Sequence, residues 1–283
     1  MAGIDSTAMF NLGLKAVGFV NVGTSRKNNL VRYMASYGAH PEAMVAIWEA
    51  LQSTDNPIVN PNLTYFFMAF NWLKTYDTYP SLASRWKMDE KSVSKWVRYY
   101  VEAIQGLKGE KIKWEVSKDD IFLLSVDGVH CNIDEPRKKP STGWKSHKSN
   151  GPGLAYELGL LLHHSQLVWI NGPFAAGSND IRNFNEENGL KSKIPPGKKV
   201  ITDRVYSSEI DVCSIPNDLD TPEVNEFKRR ARARHETFNK RIKNFNILSN
   251  TFRHGLHLHQ MVFEAVCVIM QFEMENGYPL FDI

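Results

Sequence analysis

The spacing of apolar residues changes part-way along the chain. From His40 to about Leu107 they recur every three to four positions, the period of helices. PEAMVAIWEAL (41–51) opens on a proline suited to the first turn of a helix, and LTYFFMAFNWLKTY (63–76) predicts an aromatic-rich buried helix. In YPSLASRWKMDEKSVSKWVRYYVEAI (79–104) a short helix ends near Trp86. Lys87 and Met88 turn, and Asp89 caps the next helix. There Val93, Trp96, Val97, Tyr100, Val101 and Ile104 form one stripe, with Lys91, Lys95 and Arg98 on the opposite face. Two readings fit this pair: a helix-turn-helix whose second helix enters a DNA groove, or a plain helical hairpin with its lysines in water.

After the polar linker GLKGEKIKW (106–114) the period shortens. IFLLSVDGVHCNI, LAYELGLLLH and QLVWINGPFAA predict three strands, the last two joined over His164 and Ser165. NDIRNFNEENGL predicts a short helix capped by Asn179 or Asp180, and IPPGKKVITDRVY a Pro-Gly turn and a fourth strand. SSEIDVCSIPNDLDTP reads as loop and turn before a long helix, and HLHQMVFEAVCVIMQFEMENG as a final apolar helix. The expectation is a poorly specified arm (1–35), a helical, helix-turn-helix-like domain (36–113), and a mixed α/β sheet with covering helices (114–283).

Within the long helix, RRARARHETFNKRIKNF (229–245) holds one acid, Glu236, among eight basic side chains. At about 100° per residue, Phe227, Ala231, Phe238, Ile242 and Phe245 line one stripe. Glu236 then lies roughly opposite, beside Arg229, Arg232, Lys240 and Lys243, with Asn239 bordering that face. Asp127 near the end of the first strand and Asp203 at the end of the fourth are further carboxylates on rigid elements, though such aspartates often only cap turns. Three oxygen donors of this kind suit hard ions such as Mg²⁺ or Mn²⁺, and a pair of ions activates a water or a 3′-hydroxyl. A Gly-rich phosphate loop, a G-x-S-x-G elbow and HExxH are all missing, and the nine histidines are dispersed.

The 283 residues carry a net charge of +3, so distribution matters more than total. Positive charge gathers in RKKP (137–140) through Lys145 and Lys148, and again over Lys228–Lys243; such blocks serve either as solvated faces or as phosphate-binding surfaces. Three scattered cysteines do not make a disulfide framework or zinc site. Apolar runs fall short of the roughly 20 residues that span a bilayer, and the N-terminus lacks the basic region of a secretory signal. A soluble intracellular protein is expected.

VDGVHCNIDEPR, STGWKSHKSNGPGLAYELGL, VWINGPFAAGSNDIRNF, ITDRVY and RARARHETFNKRIKNFNIL resemble, in order, the blocks of DDE-type transposases of the Harbinger/insertion-sequence type. The resemblance runs from about residue 120 to the C-terminal FRHGLHLHQMVFEAVCVIMQFEMENGYPLF. It implies an RNase H-like fold preceded by a helix-turn-helix, two Mg²⁺ or Mn²⁺ ions, double-stranded DNA at element ends and target, a homo-oligomer, no membrane, and a nuclear location in a eukaryote. Asp127, Asp203 and Glu236 match the family's three acids. Asp180 falls in a supporting segment, and Trp144, His147 and Lys148 in a W-S-H-K-type loop, with Lys148 the choice for a phosphate contact and Lys145 a further nucleic-acid-binding candidate. One position departs: Val205 stands where the family pattern has glycine. A β-branched residue does not replace a glycine of positive φ, so Val205 leaves open an alternative, a decayed or domesticated DNA-binding protein without catalysis. A nuclease without strand transfer would use the same acids.

Overall fold

The computed structural model describes residues 3–19, 25–55, 57–117, 119–135, 141–146, 151–178, 180–217 and 219–283. His147, Lys148, Asn179 and the basic run 137–140, singled out above, lie outside them. The chain forms two compact units, one of residues 1–111, 242–249 and 256–279, the other of 112–241, 250–255 and 280–283.

The first unit is helical. Its N-terminal part runs α1 (Ser6–Ala16), α2 (Arg26–Tyr37), α3 (Pro41–Ser53), α4 (Leu63–Thr75), α5 (Tyr79–Trp86), α6 (Glu90–Gly106) and α7 (Lys108–Lys111). The weakly patterned first thirty residues thus hold α1 and the start of α2. Their apolar signal is thin because the contact rests on few residues. Gly13 lets α1 approach α2 so closely that a Cβ there would stand 2.5 Å from the Tyr33 ring, and the Tyr37 hydroxyl donates to its carbonyl at 2.7 Å. α5 and α6 follow the sequence reading. Lys87 closes α5 with φ of 53°, and the Asp89 carboxylate accepts the Ser92 N–H at 2.9 Å. Val93, Val97, Tyr100, Val101 and Ile104 are buried, Trp96 is half-buried, and Lys91, Lys95 and Arg98 are exposed. The expected polar linker contains α7.

The second unit is built on a sheet that has five strands among the described residues: β1 (Phe122–Asn132), β2 (Gly153–Leu161), β3 (Leu167–Ala175), β4 (Lys199–Ile201) and β5 (Cys213–Ser214). Their order is β3-β2-β1-β4-β5; β1, β2 and β3 run antiparallel, while β4 and β5 lie parallel to β1. This is an RNase H-like mixed sheet flanked by helices. The two-residue β5 lies in the stretch expected to be loop, too short to show a period of two. α8 (Asp180–Asn185) contributes Phe184 to a core with Leu124, Val126, Leu190, Val200 and Tyr206. The long α9 (Pro222–Lys243) contributes Ala231 to a second cluster with Leu162 and Ile201.

α10 (Asn246–Ser249) and α11 (Leu256–Glu275) return the chain to the helical unit, where the sequence reading kept everything after residue 114 with the sheet. The physical reason is that α11 is buried on every side from Val262 to Met274, which needs helices around it rather than one sheet face. Its buried Glu264 is matched inside that unit, accepting from Lys108 and from Gln105, both at 2.7 Å.

Candidate active site

Asp127, Asp203 and Glu236 line one cavity of about 190 Å³, together with Ser125, Val126, Arg232 and His235. Three different elements deliver them. Asp127 is not near the end of its strand as expected, because β1 continues to Asn132 against β2. Pairing with β4, however, ends at Ser125 opposite Ile201, so the sheet opens on that side just before Asp127. Asp203 follows β4 by two residues, and its Oδ1 accepts the Val205 N–H at 3.0 Å, starting the 3-10 turn Arg204–Tyr206. Glu236 projects from α9 and is exposed; among the described residues no hydrogen bond or ion pair holds it.

Val205 does not disturb this arrangement. It is absent from the residues with positive φ, and its side chain is 45 % exposed, so nothing here calls for a glycine. The expected conflict after Asp203 does not arise.

The carboxylate of Asp127 is oriented from two sides. Oδ1 accepts the N–H of Gly128 at 2.8 Å, and Oδ2 accepts from Asn239 Nδ2 at 2.7 Å. Asn239 is four residues after His235 on α9, and the His235 Nδ1 lies 2.9 Å from the Ser125 Oγ. His235 is fully buried, and desolvation holds its pKa below the usual imidazole value, keeping it neutral. Its Nε2 and the Oδ1 of Asn239 are buried and make no hydrogen bond among the described residues.

The basic helix, which the sequence left as either a solvated face or a phosphate-binding surface, sorts into two populations. Arg229 and Lys240 are exposed and Arg232 is half-buried at the cavity. Lys228 and Arg234 are buried instead. Lys228 pairs with Asp220 at 2.6 Å, while Arg234 donates to the carbonyls of Leu161 and Phe281 at 2.6 and 2.8 Å and to Ser165 Oγ at 3.1 Å. Lys243 is engaged with the Leu248 carbonyl at 2.7 Å. Lys145 is exposed and Trp144 half-buried in the loop between β1 and β2. Asp180 lies against Gly128, where a Cβ would stand 3.6 Å from its Oδ2. It shares a small pocket with the buried Glu157 and Tyr206 rather than the cavity of the three acids.

Among the described residues no group of three or more His, Cys, Asp or Glu side chains stands close enough to hold a metal ion, nor is any helix long and apolar enough to cross a membrane. Ser125, His235 and Arg234 escaped the sequence reading. For His235 the signal was the spacing of Lys228, Ala231, His235, Phe238 and Ile242, which alternates three and four along the buried seam of α9.

A family model described as DDE superfamily endonuclease matches residues 126–271, just over half of the 283. No curated protein and no solved structure matches the chain. The matched span begins beside Asp127 and contains Asp203 and Glu236. With the acids of that span on one cavity of an RNase H-like sheet, the chain belongs to the DDE superfamily endonucleases.

Proposed function

We propose that the cavity is the active site of a Mg²⁺- or Mn²⁺-dependent DNA transposase of the Harbinger/insertion-sequence type. One observation carries this reading: Asp127, Asp203 and Glu236, far apart in sequence, line the same cavity of about 190 Å³. In kind, three carboxylates are the hard oxygen donors such ions take. In spacing they stand apart, and the exposed, unheld Glu236 is the one free to move inward. When bound, two ions supply charge stabilisation for the attacking and leaving oxygens of an in-line displacement.

The chain's own residues do the rest. Asn239 and the Gly128 N–H fix the direction of Asp127, and the Val205 N–H fixes that of Asp203. Arg232 on the cavity wall, with Arg229 and Lys240 on the same helix, holds the phosphodiester. Lys91, Lys95 and Arg98 on α6 contact the duplex as the outer face of a helix-turn-helix. Water attacks phosphorus and breaks the P–O bond to the 3′ oxygen, which leaves as a 3′-hydroxyl. That hydroxyl then attacks a target phosphodiester, forming a new P–O bond and releasing a 3′-hydroxyl on the target. If its cell is eukaryotic, we place the protein in the nucleus, acting as a homo-oligomer.

The test is a strand-cleavage and joining assay on terminal-repeat DNA with Mg²⁺. Wild type should cleave and join, and Asp203→Asn should do neither. Activity that survives Asp203→Asn would remove the assignment. The runner-up is a DNA-binding protein without catalysis, favoured by the spacing of the carboxylates; specific binding with no cleavage by wild type would select it. Cleavage without joining would select a nuclease.

A further inference from the structure

The face of α9 toward β1 carries two polar rungs. Ser125 Oγ meets His235 Nδ1 at 2.9 Å, and Asp127 Oδ2 meets Asn239 Nδ2 at 2.7 Å. Ser125 and Asp127 share one face of the strand because side chains alternate, and His235 and Asn239 share one face of the helix at a spacing of four. The two steps are nearly equal in length: two strand residues rise about 6.6 Å and four helix residues about 6 Å. The helix therefore lies beside the strand in one register, and a slip of a single residue breaks both rungs.

The first rung also has a defined direction. The Nε2 of His235 is buried and makes no hydrogen bond among the described residues, so a proton there would be an orphaned donor, costlier than a bare lone pair, while Ser125 Oγ has the Leu160 carbonyl at 3.4 Å to take its own proton. His235 thus carries its proton on Nδ1. It is 1 % exposed, and the next residue is Glu236, whose side chain lies on the cavity wall.

We propose that His235 is a positioning residue: through its Nδ1–H bond to Ser125 it sets where Glu236 stands relative to Asp127, and so the cation affinity of the cavity. This rests on the metal-site reading above. Asn239 acts on Asp127 directly, whereas His235 acts on Glu236 through the backbone of α9. Groups that orient ligands from behind in this way change metal affinity by about 10- to 100-fold.

Asparagine and glutamine separate this role from simple filling of the core. An asparagine amide at position 235 places its N–H near the former Nδ1, and a glutamine amide places it near the former Nε2. Manganese binding measured by titration calorimetry on the full chain should leave His235→Asn within about threefold of wild type, while His235→Gln and Ser125→Ala bind about 10- to 100-fold more weakly. Equal affinities for His235→Asn and His235→Gln, whether both strong or both weak, overturn the proposal. Crystal structures of the same proteins give a second readout without metal. In His235→Gln the Glu236 carboxylate should shift relative to Asp127, and in His235→Asn it should not; an unmoved Glu236 in His235→Gln overturns the proposal as well. Wild type that binds no manganese removes the metal-site reading instead, and the crystal structures then decide the positioning role alone.

Discussion

Asn239 and Asp127 are 112 residues apart in sequence and are joined by a hydrogen bond of 2.7 Å between the amide nitrogen of one and the carboxylate of the other. The bond ties the middle of β1 to the last turns of α9. It also settles the orientation of the amide, since the reverse flip would set the Asn239 carbonyl oxygen against a carboxylate oxygen.

Replacing Asn239 with alanine removes one of two donors and leaves the carboxylate of Asp127 held by the Gly128 N–H alone. A hydrogen bond to a charged group is worth about 2 kcal/mol, and Asp127 is only half-buried, so water replaces part of it. Urea unfolding should show Asn239→Ala about 1 kcal/mol less stable than wild type, and the strand-cleavage rate should fall at least tenfold. A cleavage rate within twofold of wild type would show that the orientation of Asp127 does not depend on this amide.

Arg234 is 2 % exposed and serves two carbonyls and a hydroxyl at the β2–β3 turn and the C-terminal segment. Methionine fills much of the same space but leaves the Leu161 and Phe281 carbonyls without their donor. Buried groups stripped of a partner cost about 1–3 kcal/mol each. Arg234→Met should therefore be roughly 3 kcal/mol less stable by thermal or urea denaturation. An exposed arginine such as Arg229 changed in the same way should move stability by less than about 0.5 kcal/mol.

The contrast between these arginines marks how far the sequence could be read. Cap and turn residues located α5, α8 and β4, while apolar periodicity located α3, α4, α6, the first three strands, α9 and α11, which have enough residues to display a period. It could not display β5, which has two residues, or the α1–α2 contact, which turns on the small size of Gly13. Asp203 was legible after a strand end and Glu236 on a helix face, whereas Asp127, expected at a strand end, lies inside β1 because that strand runs on to Asn132; all three line one cavity. What stayed hidden was the division of a basic helix into buried and exposed members. Composition counts Arg232 and Arg234 alike. Only their angular positions differ, and Arg234 falls seven residues after Phe227 and four before Phe238, on the buried side. A charged residue in a hydrophobic seam is readable, provided the seam is extended through the charges rather than drawn around them.

Val205 gives a prediction that runs against the family pattern. Its backbone is of ordinary conformation, its N–H already donates to Asp203, and its side chain faces solvent. Glycine would add freedom to the unfolded chain without relieving any strain, at a cost of about 0.4–1 kcal/mol. Val205→Gly should melt slightly lower than wild type and gain no cleavage activity. A clear gain in the cleavage assay would show that DNA-bound enzyme needs a different backbone here.

Glu157 lies on β2 opposite Gly128, 4 % exposed, with one carboxylate oxygen accepting the Trp169 indole N–H at 2.9 Å. Desolvation raises its pKa from 4.5 to about 7, and the neighbouring charge of Asp180 adds to the shift, while hydrogen bonds from Trp169 and Tyr206 oppose it. The sign follows from linkage. Below pH 4.5 the group is neutral in both folded and unfolded chains, and it costs the fold nothing. Between 4.5 and about 7 the unfolded chain loses its proton first, so stability declines as pH rises. Above 7 both forms are ionised and the full cost is present. At 1.36 kcal/mol per unit, that cost is roughly 3 kcal/mol. Glutamine copies the neutral form and keeps an oxygen for Trp169. Glu157→Gln should therefore match wild type in urea unfolding near pH 4.5 and exceed it by roughly 3 kcal/mol at pH 8. Equal stability of the two proteins at pH 8 would mean that the ionised carboxylate is compensated in the fold, and the buried acid would then carry no pH dependence.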